Sequence, residues 1–304
     1  MKMHHDPVML REILEVLALR PGHVVVDGTL GLAGHSLRFL DAVAPGGTLV
    51  GFDWDESMLA EADRRLKDRL SQEAAPDVRI ELRHSDYRGI PAAMEALELK
   101  ADGILLDLGL NSAQIEDPER GIAFKTEGPL DMRMDRSSGE PASALLNRLS
   151  PHEIEKILFD LGDERWAKAI AKQIVERRRE NPLRTTADLV DAVHAAVPPK
   201  ARDKRIHPAT RTFQAVRIAV NRELEGLEEA MREIAHALAP GGTLAVLSYH
   251  SGEDRAAKLA FRDLADGEDF EELNRKPVQA SAEEIAANPR SRSAKLRALR
   301  RLAN

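Results

Sequence analysis

The 304-residue chain contains no cysteine. This excludes disulfides, thiolate metal sites and any mechanism built on a cysteine nucleophile. Covalent attack on the carbon framework of a pyrimidine falls with them. Aromatic residues make up only 4% of the sequence, including two tryptophans and two tyrosines. No apolar run approaches the ~20 residues that cross a bilayer. The opening stretch, Met1-Lys2-Met3-His4-His5-Asp6-Pro7, lacks the apolar core of a signal peptide, so a cytoplasmic protein without membrane contact is expected. The net charge of −7 excludes a wholesale basic coat for nucleic acid, though not a local one. His4-His5 and the lone His207 have no second ligand pair at metal spacing, and no metal is expected.

What is present begins with a soluble profile, 43% hydrophobic and 31% charged, long enough for one large domain or two ordinary ones. The β-branched run Val24-Val25-Val26 ends in Asp27 and passes through Gly28, Gly31 and Gly34 into a helical pattern. An open α/β sheet presents a nucleotide-like ligand at such a strand end. The glycines are expected to supply positive φ and a close approach of backbone to ligand. Their spacing is G-x-x-G-x-x-G, not the G-x-G-x-x-G of a pyrophosphate cradle. An acid before the turn suits a ligand with hydroxyls and positive charge, such as the ammonium and sulfonium of S-adenosylmethionine. A tight strand-to-helix connection with no ligand explains the turn alone equally well.

Strand and helix patterns alternate through the first hundred residues, which predicts a parallel sheet covered by helices. The strands are Val24–Asp27, Thr48–Asp53, Val78–Leu82 and Ala101–Leu108, each ending in or near an acid. Alternation stops from about Ser112 to Arg211, where only helical patterns occur. One long amphipathic helix is then predicted through Phe213, Val216, Val220, Leu224, Leu227, Met231, Ile234 and Leu238. A fifth strand, Leu244–Ser248, follows. The hexapeptide Ala-Pro-Gly-Gly-Thr-Leu occurs at 44–49 and 239–244 and is read as one helix-stop, strand-start device used twice. The predicted architecture is a doubly wound, Rossmann-like domain, 1–113 and 212–304, interrupted by an all-helical insertion, 114–211.

Asp53 lies 26 residues after Asp27, close to the distance at which an acid binds ribose hydroxyls in nucleotide folds. Its competing role is a helix N-cap. Asp86-Tyr87 would frame an adenine ring or be an exposed loop pair. Asp107-Leu108-Gly109-Leu110-Asn111-Ser112 opens from the fourth strand. An exocyclic amine on a base is a poor nucleophile because its lone pair is delocalised into the ring. Acceptors that hold its hydrogens and bend it towards tetrahedral geometry restore the lone pair. Asp107 and Asn111 supply such acceptors, or else form Asx-type turns. Tyr249-His250-Ser251 follows the fifth strand at the same edge, where an aromatic would stack a flipped-out base.

The insertion carries local positive charge. Arg165, Lys168, Lys172 and Arg179 share one helical face, and Lys200, Arg202, Lys204, Arg205 and Arg211 follow. The tail adds Arg290, Arg292, Lys295, Arg297, Arg300 and Arg301 with no acid among them. Such runs are often solvated faces, but their number favours contact with a phosphate backbone.

With these residues in place, the chain resembles the bacterial 16S rRNA (cytosine-N4)-methyltransferase family (RsmH/MraW). The motifs are His5-Asp6-Pro7-Val8-Met9-Leu10, Asp27-Gly28-Thr29, Gly34-His35-Ser36, Gly103-Ile104-Leu105-Leu106-Asp107-Leu108-Gly109 and Gly128-Pro129-Leu130-Asp131-Met132-Arg133-Met134-Asp135. His207-Pro208-Ala209-Thr210-Arg211-Thr212-Phe213-Gln214-Ala215, Tyr249-His250-Ser251-x-Glu253-Asp254-Arg255 and Asn288-Pro289-Arg290 complete the set. The resemblance implies an S-adenosylmethionine-dependent enzyme that methylates N4 of a cytidine in the decoding region of small-subunit rRNA. It implies cofactor contacts at Gly31, Ala33, Gly34, His35, Asp53, Tyr87, Asp107 and Gln114. Asp107, Asn111 and either Tyr249 or His250 are then the candidate catalytic residues. The RNA-binding candidates are Arg133, Arg165, Lys168, Lys172, Arg211, Arg290 and Arg292. Ala33 stands where the family usually has glycine, and Tyr249 where it usually has phenylalanine.

Overall fold

The computed structural model describes residues 7–72, 77–110, 114–115, 117–202 and 207–303. The chain divides into two compact units, Met1–Gly109 with Gly226–Asn304, and Leu110–Glu225.

The first unit is built on a single sheet. Its strands are β1 (Val24–Asp27), β2 (Gly47–Asp53), β3 (Val78–His84), β4 (Ala101–Asp107), β5 (Leu238–Ser248), β6 (Phe270–Glu272), β7 (Val278–Gln279) and β8 (Lys295–Arg301). They lie in the order β3-β2-β1-β4-β5-β8-β6, with β7 paired to β8. The five strands from β3 to β5 are mutually parallel, and β8 runs antiparallel to β5, β6 and β7. Strands covered on both faces read as continuous apolar runs. Val25, Val26, Leu49, Val50, Ile104, Leu105, Leu244 and Ala245 are accordingly fully buried. At the edge, β3 carries Arg79, Glu81 and Arg83 and is only partly buried, as an edge strand that resists pairing should be.

Helices pack this sheet along their apolar stripes. Helix α1 (Leu10–Leu17) buries Ile13 and Leu17, and α2 (Gly34–Val43) buries Phe39, Leu40 and Val43. Together with Leu49, Leu66 and Leu105 these residues form one core. Helix α3 (Glu56–Leu70) is capped by Asp55, whose carboxylate accepts from the amides of Ser57 and Met58. Helix α4 (Ile90–Ala96) buries Ile90 and Met94. Two further helices, Leu227–Ala235 and Ser251–Ala265, belong to this unit. Among the described residues no helix is long and apolar enough to cross a membrane.

The second unit shows no named strand among its described residues. It consists of the helices Ala142–Arg148, Pro151–Gly162, Ala167–Glu180, Thr186–Ala196 and Thr210–Asn221, with short 3-10 turns. Capping boxes start two of them, Ser150 with Glu153 and Thr185 with Asp188. Ile154, Leu158, Ile170, Ile174, Leu189, Val193, Phe213 and Val216 close its core.

Three expectations need correction. The long helix through residue 238 is two helices, Thr210–Asn221 and Leu227–Ala235. Arg222 and Gly226 are left-handed, with φ of 50° and 63°, and a left-handed residue ends a helical ladder. The repeated hexapeptide does two different jobs. At 44–49 it stops α2 and starts β2, whereas at 239–244 it lies inside β5, beside a register shift at Ala101/Gly103. Strand β8 went unforeseen, because Lys295–Arg301 reads as a solvated basic run.

Candidate active site

The carboxyl ends of β1, β2 and β4 bring Asp27, Asp53 and Asp107 to one edge of the sheet. Asp27 is 2% exposed and accepts from Ser36 Oγ at 2.6 Å and from the Thr29 amide at 3.2 Å. Burial raises its pKa, against the lowering effect of Ser36 and His35. Asp53 is 8% exposed and accepts from the Gly31 amide at 2.7 Å and the Asp55 amide at 2.9 Å. Burial pushes its pKa up to about 6. The helix cap is therefore Asp55, and Asp53 is left facing the turn that follows β1.

Each carboxylate oxygen has two lone pairs, so Asp53 retains acceptor capacity for hydroxyls. Asp107 is anchored through its amide, which donates to Thr29 Oγ1 at 2.7 Å. Its Oδ2 faces Nε2 of the buried His35 at 3.6 Å. Among the described residues, Asp107 Oδ1 and both ring nitrogens of His35 are buried without a hydrogen bond. Buried polar atoms are rarely left so in a finished structure. Such atoms mark a place prepared for a polar ligand. Thr29 and Ser36 stood in the sequence only as members of the motifs Asp27-Gly28-Thr29 and Gly34-His35-Ser36, and the structure gives them their roles as partners of Asp107 and Asp27.

The glycine turn works differently from the expectation. Positive φ is found at Gly31 (51°) and at Ala33 (58°), and neither Gly28 nor Gly34 has it. A Cβ on Gly28 would meet the Leu106 side chain at 2.4 Å, and one on Gly34 would meet Pro7 at 3.1 Å. At both positions the space of the missing side chain is taken by the protein's own residues, Leu106 at Gly28 and Pro7 at Gly34. Ala33 occupies the left-handed position that glycine would hold more cheaply, and its methyl is fully buried.

Tyr249 follows β5 and lies on Gly109, where a Cβ would fall 2.4 Å from the ring. Burial raises the phenol's pKa well above its ordinary value, and the charge and hydrogen bonding of Asp107 add to this. The hydroxyl therefore stays protonated beside the carboxylate. His250 is engaged otherwise. It caps the helix Ser251–Ala265, its Nδ1 accepting from the Glu253 amide, while Glu253 accepts from the amides of Tyr249 and His250.

Tyr87 is nearly buried, with the Arg88 guanidinium 5.1 Å from its ring centre. Asp86 accepts from the Arg88 amide through one oxygen and from the Arg88 guanidinium through the other. Gln114 is buried in the second unit, and Asn111 lies outside the described residues.

The basic candidates differ in exposure and pairing. Arg165, Lys168, Lys172 and Arg292 are exposed, Lys172 with Oε1 of Glu176 3.7 Å from its ammonium. Arg211, also exposed, donates to the Asp163 carbonyl at 2.7 Å. Arg133 is folded into its own loop, on the Asp131 carboxylate and the carbonyls of Arg136, Ser138 and Gly139. Arg290 is partly buried in a 3-10 turn. The rest of the tail is structural: Lys295 and Arg297 bind Asp254 at 3.1 and 2.7 Å, and Arg297 is buried.

The family profile of the MraW methylases matches residues 2–302. The chain belongs to the MraW methylase family. It is 46% identical over 319 residues to the "Ribosomal RNA small subunit methyltransferase H" of Heliobacterium modesticaldum, covering 99% of this chain and 100% of that protein. The protein of the same name from Geobacter sp. (strain M21) is 44% identical over 315 residues, covering 98% and 99%. As a family member the chain is an S-adenosylmethionine-dependent methyltransferase. The residues fit that cofactor. Three carboxylates at one sheet edge, two of them held above their ordinary pKa by burial, favour a cation with hydroxyl donors, and Asp107 Oδ1 beside them is a buried acceptor without a hydrogen bond among the described residues.

Proposed function

We propose that this methyltransferase acts on 16S rRNA in the small ribosomal subunit, in the cytoplasm, and methylates the exocyclic N4 amine of a cytidine in the decoding region. When bound, S-adenosylmethionine supplies an electrophilic methyl group on a sulfonium. The observation that carries the amine assignment is Asp107 Oδ1, a buried acceptor without a hydrogen bond among the described residues at the end of β4. An acceptor there would hold the amine hydrogens, localise the nitrogen lone pair and receive the proton released as the N–C bond forms and the methyl's C–S bond breaks, its electron pair staying on the sulfur as a thioether.

The other residues take supporting roles. Asp53 accepts from ribose hydroxyls, and Tyr87 and Gln114 help frame the cofactor. Tyr249 offers a face for the flipped base, and Asn111 adds a second acceptor. His250 sets the helix that follows Tyr249. The unit Met1–Gly109 with Gly226–Asn304 is the catalytic domain. The helical unit Leu110–Glu225 recognises the RNA.

The test is transfer of isotopically labelled methyl from S-adenosylmethionine to small subunits that lack the modification, followed by digestion to nucleosides. Label in N4-methylcytidine is expected. Label in another nucleoside or in ribosomal protein overturns the substrate assignment.

A further inference from the structure

Within the helical unit, a groove of about 610 Å³ is lined by Pro151 and Glu155 from the helix Pro151–Gly162, by Arg165 and Trp166 in the turn that follows, and by Lys168, Lys172, Glu176 and Arg179 along the helix Ala167–Glu180. Four cations and two acids line it, in a chain whose net charge is −7. One of the chain's two tryptophans sits among those cations. Trp166 is partly buried against the helical core, which fixes the indole while part of it lines the groove. Phe159, one turn beyond Glu155 on the same stripe, is 64% exposed. An exposed phenylalanine beside a groove lined with charge is costly to leave in water, and with the indole of Trp166 it suits a partner with flat apolar faces.

We infer that this groove binds an unpaired stretch of RNA, with phosphates on Arg165, Lys168, Lys172 and Arg179 and a base stacked on Trp166. A duplex keeps its bases stacked on one another and offers an indole no free face, whereas a single strand offers one per nucleotide. A purely acidic protein surface would use the cations but gain nothing from the aromatics. The inference rests on the RNA reading above and assigns it a second contact, separate from the residues of the candidate active site.

The test measures binding of a fluorescently labelled twelve-nucleotide single-stranded RNA, and of a duplex of equal length, to the full chain over a range of salt. Lys168→Glu combined with Lys172→Glu changes exposed positions only. It is expected to weaken single-strand binding at least tenfold and to lower the salt slope by about 1.4, at ~0.7 per phosphate contact. Trp166→Ala is expected to weaken binding about tenfold with the slope unchanged, and Trp166→Phe to retain most of the affinity. Wild-type affinity in the double lysine variant overturns the groove even if Trp166→Ala misfolds. So does equal binding of a polyglutamate peptide that is indifferent to Trp166→Ala, which assigns the groove to an acidic protein surface. If groove variants bind RNA normally while the enzyme still methylates small subunits, only the groove assignment falls. If the wild-type chain neither binds nor methylates RNA, the RNA reading falls with it.

Discussion

The Gly31 amide donates to Oδ2 of Asp53 across 2.7 Å, so the tip of β2 holds the left-handed turn that follows β1. The same carboxylate is the ribose acceptor in the proposed function. It is buried, and its pKa of about 6 puts its ionisation close to working pH.

Hydroxyl donors favour the ionised acid, so S-adenosylmethionine affinity should fall as pH drops through about 6. Binding isotherms should show roughly a tenfold loss between pH 7 and pH 5. Asp53→Asn should bind weakly and without this pH dependence. A wild-type affinity that is flat over the interval would remove Asp53 from the ribose.

In the absence of cofactor the sign reverses for stability. A carboxyl raised from 3.8 to about 6 stabilises the fold fully only below its unfolded pKa and loses that contribution as pH rises through about 6. The cost of the ionised form is on the order of 3 kcal/mol at neutral pH. Cofactor-free Asp53→Asn should therefore gain on the wild type in thermal midpoint as pH is raised from 4 to 7. A constant difference across that range would contradict the buried-charge account.

Ala33 sits at φ 58° with a buried methyl, and two effects oppose each other there. Glycine relieves about 1 kcal/mol of left-handed strain, while removing a buried methyl costs about 0.8 kcal/mol. Ala33→Gly should be nearly neutral in denaturant unfolding. Ala33→Val, β-branched and without room, should lose at least 2 kcal/mol, of the size of other overpacked cores.

The Tyr249 ring rests on Gly109. Tyr249→Phe keeps that face and should retain methyl transfer within about fivefold. Tyr249→Ala should lose the ~1–3 kcal/mol of base stacking, seen chiefly as a raised KM for the RNA substrate. Gly109→Ala displaces the ring and should resemble Tyr249→Ala. Full activity in both alanine variants would separate the ring from the base.

How far the sequence disclosed this structure depended on where the physics was local. Strands β1, β2 and β4 were legible because Val24–Val26, Leu49–Phe52 and Ile104–Leu106 are apolar on both faces. Asp53 and Asp107 were legible because such strands end at the ligand edge. Strand β8 was hidden because its cations are satisfied by distant partners, Arg297 by the Asp254 carboxylate and by a hydrogen bond to the Arg275 carbonyl. His250 looked catalytic because histidine is an uncommon helix cap, although its partner Glu253 is only three residues away. Gly28 looked like part of a ligand cradle, but Leu106, which fills its missing side chain, is close only in the fold.

The most direct test is methyl transfer to unmodified small subunits by Asp107→Ala under saturating cofactor, with folding checked by thermal unfolding. The rate should fall by roughly 10²–10³, the loss found when a preorganised group at a reacting centre is removed. A folded Asp107→Ala protein that methylates cytidine at the wild-type rate would contradict the account.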